Sequence, residues 1–307
     1  MLAVKTLRSN LTIFRRAIWL MGNQFEISLV ANDPMWAEDR FTNAIAEINR
    51  VEKLLSTFGD GSQVNDINRN AGIKPVKVDG EIFRLIDRSL AISRLTYGAF
   101  DITYFSADVQ NGDSKTSSVI TSYSNYQNVV LDPIAMTVFL KDKGMRISFA
   151  ANSKGYAADR AKYVLQMQGV SSGVINAGGD LLTWGTQPND APWTIGTADP
   201  EKQTQPFANL NISNLCVASA VNTDKHTPIN KKQLANVSAK KGFPVSEIIS
   251  VSMISPTAEL SDALSTPILT IGVNAGLYLI NQLNQIACII IDDHDRIYTS
   301  KGINIAD

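Results

Sequence analysis

Asp262 and Thr266 stand four residues apart in the segment Ser255-Pro256-Thr257-Ala258-Glu259-Leu260-Ser261-Asp262-Ala263-Leu264-Ser265-Thr266. That spacing puts a carboxylate and a hydroxyl on one helical face, and oxygen ligands of this kind suit a hard cation such as Mg²⁺. Asp262 also suits a first-turn charge favoured by the helix dipole, and spacing alone does not separate the two readings. A second stretch, Asn176-Ala177-Gly178-Gly179-Asp180, sets two glycines directly after an apolar run. There the backbone can pass close to a ligand phosphate or simply turn, and a turn is the plainer reading. Taken alone, Gly98-Ala99-Phe100-Asp101 reads as a helix C-cap followed by a buried Phe. Asp292-Asp293-His294-Asp295 gathers metal-ligand types, but its place between two apolar runs predicts a solvated hairpin tip. General-base chemistry near neutral pH has few carriers here, since the only histidines are His226 and His294. The two cysteines, Cys216 and Cys288, each lie in an apolar run, which predicts buried thiols rather than a disulfide or a zinc site.

The elements that must position these residues follow from periodicity. Phe25 to Val30 alternates as a strand with one buried face, and Pro34 to Leu55 repeats its apolar positions at three- and four-residue spacing, as a helix does. Ser56 to Gly72 is rich in Gly, Asn, Asp and Ser and reads as a polar loop. Val78 to Leu95 is helical again, and Tyr123 to Ile147 carries short strands at 129–131, 136–140 and 145–147. A helix from Gly155 to Gly169 precedes a strand over 172–180 that ends in the glycine turn. Strands over 193–198 and 249–254, helices over 260–269 and 275–283, and a terminal hairpin over 287–300 complete the pattern. Mixed helices and mostly antiparallel strands predict an α+β fold, and no linker divides residues 1–307 into separate domains.

Composition limits the function classes. The chain has 307 residues, 44% hydrophobic and 19% charged, with 28 Lys plus Arg against 29 Asp plus Glu. This is a globular composition whose near-zero net charge supplies no global field for nucleic acid or anionic lipid. No apolar run approaches membrane-spanning length, and Arg15 and Arg16 interrupt the stretch leading to Ala17-Ile18-Trp19-Leu20-Met21, so no signal segment is predicted. The expected compartment is the cytoplasm as the chain is written, or the periplasm if its N-terminus was processed.

Six stretches, taken in order, resemble the successive signatures of the ApbE-type FAD:protein FMN transferases. They are Met21-Gly22 before a strand, Leu55-Ser56-Thr57-Phe58 before a polar loop ending in Asn68, Gly98-Ala99-Phe100-Asp101, Lys154-Gly155-Tyr156-Ala157-Ala158-Asp159, Asn176 to Asp180, and Ala258 to Thr266. The resemblance implies an α+β flavin-transferase fold related to the tunnelling fold. It also implies FAD and Mg²⁺, and transfer of FMN to a Ser or Thr of a target protein with release of AMP. Carried over by position, Met21, Phe58, Ala99, Phe100, Asp101, Ser148, Lys154 and Val237 would contact FAD. The Ala151 carbonyl with the side chains of Asp262 and Thr266 would hold Mg²⁺. The implied partner is a flavinylated target or an active paralogue.

The chain departs from the family at defined positions. Where members usually carry His-x-x-Asp-Pro-x-Thr-Gly, this sequence reads Ala235-Asn236-Val237-Ser238-Ala239-Lys240-Lys241-Gly242. A Ser-Gly turn has become Ala220-Val221, and Ser148 stands where an FAD-contacting aspartate is usual. Alanine at 235 can neither take a proton nor donate a hydrogen bond. The pattern predicts flavin transfer that is lost or greatly weakened, with a non-catalytic flavin- or nucleotide-binding homologue, or a protein-interaction module, as the alternative class.

Overall fold

The structure, a computed structural model, describes residues 11–57, 61–105, 125–198, 206–211, 213–222 and 248–301. In chain order, β1 (Thr12–Leu20) and β2 (Asn23–Ala31) form a hairpin through Met21 and Gly22. Helices α1 (Pro34–Leu55) and α2 (Gln63–Arg69), β3 (Val76–Lys77), α3 (Gly80–Leu95) and β4 (Thr103–Phe105) follow. Next come β5 (Val129–Asp132), β6 (Thr137–Leu140), β7 (Met145–Ile147) and α4 (Ser153–Met167). They lead to β8 (Gly173–Ala177), β9 (Asp180–Trp184), β10 (Thr194–Ala198), β11 (Pro206–Asn211), β12 (Cys216–Val221) and β13 (Ile248–Ser255). Helices α5 (Ala258–Ile271) and α6 (Val273–Ile280) and the hairpin β14 (Ala287–Asp292) and β15 (Ile297–Thr299) complete the described elements.

An eight-stranded sheet in the order β1-β2-β8-β9-β12-β13-β14-β15 forms the platform, and every pairing in it is antiparallel. Helix α1 begins at Asp33, whose carboxylate accepts from Met35 N at 2.8 Å, with Pro34 at the first helical position. Its buried residues Ala37, Phe41, Ala44, Ile48, Val51 and Leu55 form one stripe at three- and four-residue spacing. That stripe joins Ala157, Ala158, Ala161 and Leu165 of α4 and Ile27, Leu29 and Ile175 of the sheet in one core. The expectation of an α+β fold is met.

Two of the segments that differ from the sequence reading bear on the site. The stretch 56–72 is not loop throughout: α2 is capped by Ser62, whose hydroxyl accepts from Asn65 N at 3.3 Å, and its two apolar residues, Val64 and Ile67, turn inward. The predicted strand 172–180 is two strands joined at Gly178 and Gly179, both at positive φ, with Ala177 paired to Asp180. Cys216 and Cys288 are buried free thiols.

Candidate active site

The site is built where the first turns of α4 and α5 meet the start of β9. A glycine is needed at 155 because a Cβ there would lie 2.6 Å from the Ala258 carbonyl carbon and 2.8 Å from Glu259 N, so α4 crosses α5 backbone to backbone. This approach lets Asp262 Oδ2 accept from Gly155 N at 3.2 Å. The preceding residue, Lys154, places Nζ 3.6 Å from Asp180 Oδ2, and Asp180 Oδ1 accepts from Ser219 N at 3.3 Å. Two carboxylates from different elements therefore converge on the Lys154-Gly155 step.

Both carboxylates are destabilised as anions. Burial, followed by the charge of nearby Asp180, pushes Asp262 up to about 6, although Lys154 and the Gly155 N–H act the other way. Burial raises Asp180 too, against the pull of Lys154 and the Ser219 N–H. Among the described residues Asp262 Oδ1 accepts no hydrogen bond. Hard oxygen donors carrying more negative charge than one ammonium offsets are a donor set that fits a divalent cation. Thr266 lies one turn further along α5 and is exposed, and its carbonyl accepts from Thr270 Oγ1 at 3.0 Å. Ala151 is exposed in the turn leading into α4.

A cleft of about 620 Å³ opens beside this step. Its wall is Met21, Asn49, Glu52, Lys53 and Leu55 at the end of α1, Ser56, Thr57, Gly61 and Ser62 between α1 and α2, and Ser148, Phe149, Ala150 and Ser153. Met21 reaches it from the β1–β2 turn, at a φ of 51°. Ser148 is fixed by its N–H to Ile102 O at 2.8 Å, while its hydroxyl accepts from Ala150 N at 3.3 Å. Asn68 sets the approach to this wall: Oδ1 accepts from Ile147 N at 2.7 Å and Nδ2 donates to Ile147 O at 3.0 Å, so a buried side chain mimics a neighbouring strand.

Not every residue of the expected site lines the cleft. Phe100 is 3% exposed within the core, and Ala99 is exposed outside the wall. Asp101 accepts from Thr103 N at 2.8 Å and Tyr126 N at 3.1 Å, bonds that hold the chain after α3. Phe58, Val237, Ala235, Ser238 and His226 lie outside the described residues. Ala220 and Val221 close β12, directly after Ser219. Sequence reasoning gave no role to Asp180, although a carboxylate directly after a double-glycine turn was its visible signal. It also missed the α1 residues Asn49 and Lys53.

The hairpin tip behaves as a structural feature. Asp292 is 1% exposed and accepts from His294 N at 2.9 Å, Arg296 N at 3.0 Å, Arg296 Nε at 2.7 Å and Tyr298 OH at 3.0 Å. Its oxygens tie the turn together.

The profile of the ApbE family matches residues 21–290. This chain belongs to the ApbE family. An FAD:protein FMN transferase of Klebsiella pneumoniae is 28% identical over 296 residues, covering 92% of this chain and 90% of its own length. One from Treponema pallidum is 23% identical, covering 83% and 78%. Among solved structures, the ApbE protein of Thermotoga maritima superposes with a TM-score of 0.74 at 22% identity, covering 94% of this chain and 97% of its own. The flavin transferase ApbE of Vibrio cholerae gives 0.77 at 17% identity, covering 95% and 98%. The ApbE fold is therefore shared over nearly the whole chain, including the strands and helices that bring Lys154, Asp180 and Asp262 together. No helix among the described residues is long and apolar enough to cross a membrane.

Proposed function

We propose that this protein is an FAD:protein FMN transferase that binds FAD in the cleft and Mg²⁺ at Asp262, and transfers FMN slowly to a Ser or Thr of a target protein. The observation that carries the reading is the convergence of Asp180 and Asp262 on Lys154-Gly155 at the end of the cleft wall. The names of its ApbE relatives support the reaction. Met21 and Ser148 would face the flavin nucleotide, and Lys154 would supply positive charge to its phosphates. Asp262, Thr266 and the Ala151 carbonyl would hold Mg²⁺, which would supply positive charge against the pyrophosphate.

The residues assigned above would position the donor, while the sequence lacks the family's histidine as a base for the target hydroxyl. The sequence supplies Ala235 at the family histidine position and Ser238 at its aspartate. A positioned general base contributes about 10²- to 10⁴-fold to a proton transfer, so transfer is expected to be slower by about that factor than in a histidine-bearing member. The same substitutions favour a second reading, a homologue that binds flavin or nucleotide and acts through a protein partner without transferring FMN.

One assay separates them. Pure protein is incubated with FAD, Mg²⁺ and a target bearing a flavinylation motif, and covalent flavin fluorescence is read on a denaturing gel. Slow labelling that rises in the A235H/S238D double variant supports transfer, and silence in both proteins supports the second reading.

A further inference from the structure

Asp180, beside the cation-binding residues proposed above, is buried at 7% exposure, and its two oxygens differ. Oδ1 is fixed by the Ser219 N–H at 3.3 Å, while Oδ2 faces the Lys154 ammonium at 3.6 Å, an ion-pair contact longer than a hydrogen bond. The Lys154 side chain retains 25% exposure, so it can leave this contact for water or a ligand, whereas Asp180 is held by its strand and by Ser219. Lys154 and Gly155 are consecutive, and one touches Asp180 while the other touches Asp262. The two carboxylates therefore share a single place for compensating positive charge.

We propose that Asp180 is a further ligand of the divalent cation, and that Lys154 and the cation compete for its Oδ2. The inference rests on the cation site assigned to Asp262 and Thr266 and deepens it. Lys154 acts as a tethered counter-ion: cation entry releases its ammonium from Asp180 and frees it to meet the FAD phosphates from the adjoining wall of the cleft. The competition makes an unusual demand on mutagenesis, because deleting a cation from the site strengthens metal binding and deleting a carboxylate weakens it. A purely structural Lys154–Asp180 pair predicts no such opposition, since both deletions would disturb the same packing.

The test uses the full chain without FAD and Mn²⁺ as the paramagnetic probe, with free Mn²⁺ read by electron paramagnetic resonance. Lys154→Met is expected to bind Mn²⁺ at least about 3-fold tighter than the parent, and Asp180→Asn at least about 10-fold weaker. Lys154→Arg keeps the competing charge and is expected to stay near the parent affinity. Thermal melts of each variant establish that the fold is intact, and Lys154→Gln replaces Lys154→Met if the latter does not fold. Weaker or unchanged binding in folded Lys154→Met or Lys154→Gln, or unchanged binding in Asp180→Asn, overturns the proposal. If binding is lost in Asp262→Asn while the Lys154 and Asp180 variants match the parent, the cation site stands and the competition falls. If the parent binds no Mn²⁺, the cation site itself falls, and the proposal with it.

Discussion

Asp159 and Asp262 cap each other's helices. Asp159, on α4, accepts from Ala258 N at 2.9 Å and Glu259 N at 2.8 Å at the start of α5, and Asp262, on α5, accepts from Gly155 N at the start of α4. Neither helix has a side-chain cap of its own, since Asn152 and Thr257 at the cap positions make no such bond. Each first turn is satisfied by the other helix, which couples the residues that precede it: Lys154 on one side and the Asp262 face on the other. Glu259, 8% exposed, adds a forked contact to Arg88 Nε and Nη2 and ties the same turn to α3.

This exchange predicts a sharp penalty at Gly155. A methyl group there meets backbone rather than a flexible side-chain end, so α4 and α5 must separate. Gly155→Ala is expected to cost about 1–3 kcal/mol in urea unfolding, the range of core overpacking. Gly61, which unlike Gly155 has nothing near its Cβ position and does not sit at positive φ, offers a control for glycine loss as such. An unaltered midpoint in Gly155→Ala would show that the two helices do not cross as closely as described.

The pH dependence follows from the same pair. Burial pushes Asp159 up to about 6, even though two backbone N–H donors act to lower it. The folded carboxyl thus keeps its proton to a higher pH than the unfolded one, whose ordinary value is 3.8. Its contribution to stability is full below that value and declines as the pH rises towards 6. Asp262 shifts in the same direction, so the wild-type curve alone does not isolate Asp159. The stability of Asp159→Asn relative to wild type is expected to rise between about pH 4 and pH 6 and then level off. A constant difference across pH 4–7 contradicts the assignment.

Much of the scaffold could be read from periodicity because α1 and α3 carry long amphipathic stripes and β2 alternates, while α4 was signalled by its opening alanines and closing glycine. Helix α2 hid because seven residues with two inward apolar side chains look like a polar loop, and its start is signalled only by Ser62. β1 hid behind Arg15 and Arg16, which an edge strand carries on its accessible sides and which broke the apolar pattern. In the site, the Lys154-Gly155 and Asp262 motifs were visible, but the role of Asp180 was not. Its meaning depends on contacts with Lys154 and Ser219, each more than twenty residues away, and no local pattern encodes them. The Asp101 carboxylate shows the reverse: a motif residue whose described bonds are to backbone N–H groups.

Asn68 makes a separate prediction. Its amide exchanges two hydrogen bonds with Ile147, the residue before Ser148 on the cleft wall, and it is 8% exposed. Asn68→Ala leaves a buried N–H and C=O of Ile147 without these partners, a loss of about 1–3 kcal/mol. Urea unfolding should register that loss, and FAD binding should weaken as well because the Ser148–Ser153 wall loses its anchor. Equal FAD affinity in the variant would separate the anchor from the cleft.

FAD with Mg²⁺ should raise the melting temperature if the cleft receives the nucleotide, because a ligand specific for the native state stabilises it by mass action, by about 2.7 kcal/mol at one hundred times its dissociation constant. Ala150 is the variant of choice for testing the location. It is exposed on the cleft wall, so a large side chain there fills the cleft without invading the core. Ala150→Trp is expected to melt at the wild-type temperature without ligand and to lose the FAD-induced rise. A full rise in that variant would move the nucleotide away from the Met21–Ser148 cleft, and no rise in either protein at saturating FAD would remove flavin from both functional readings.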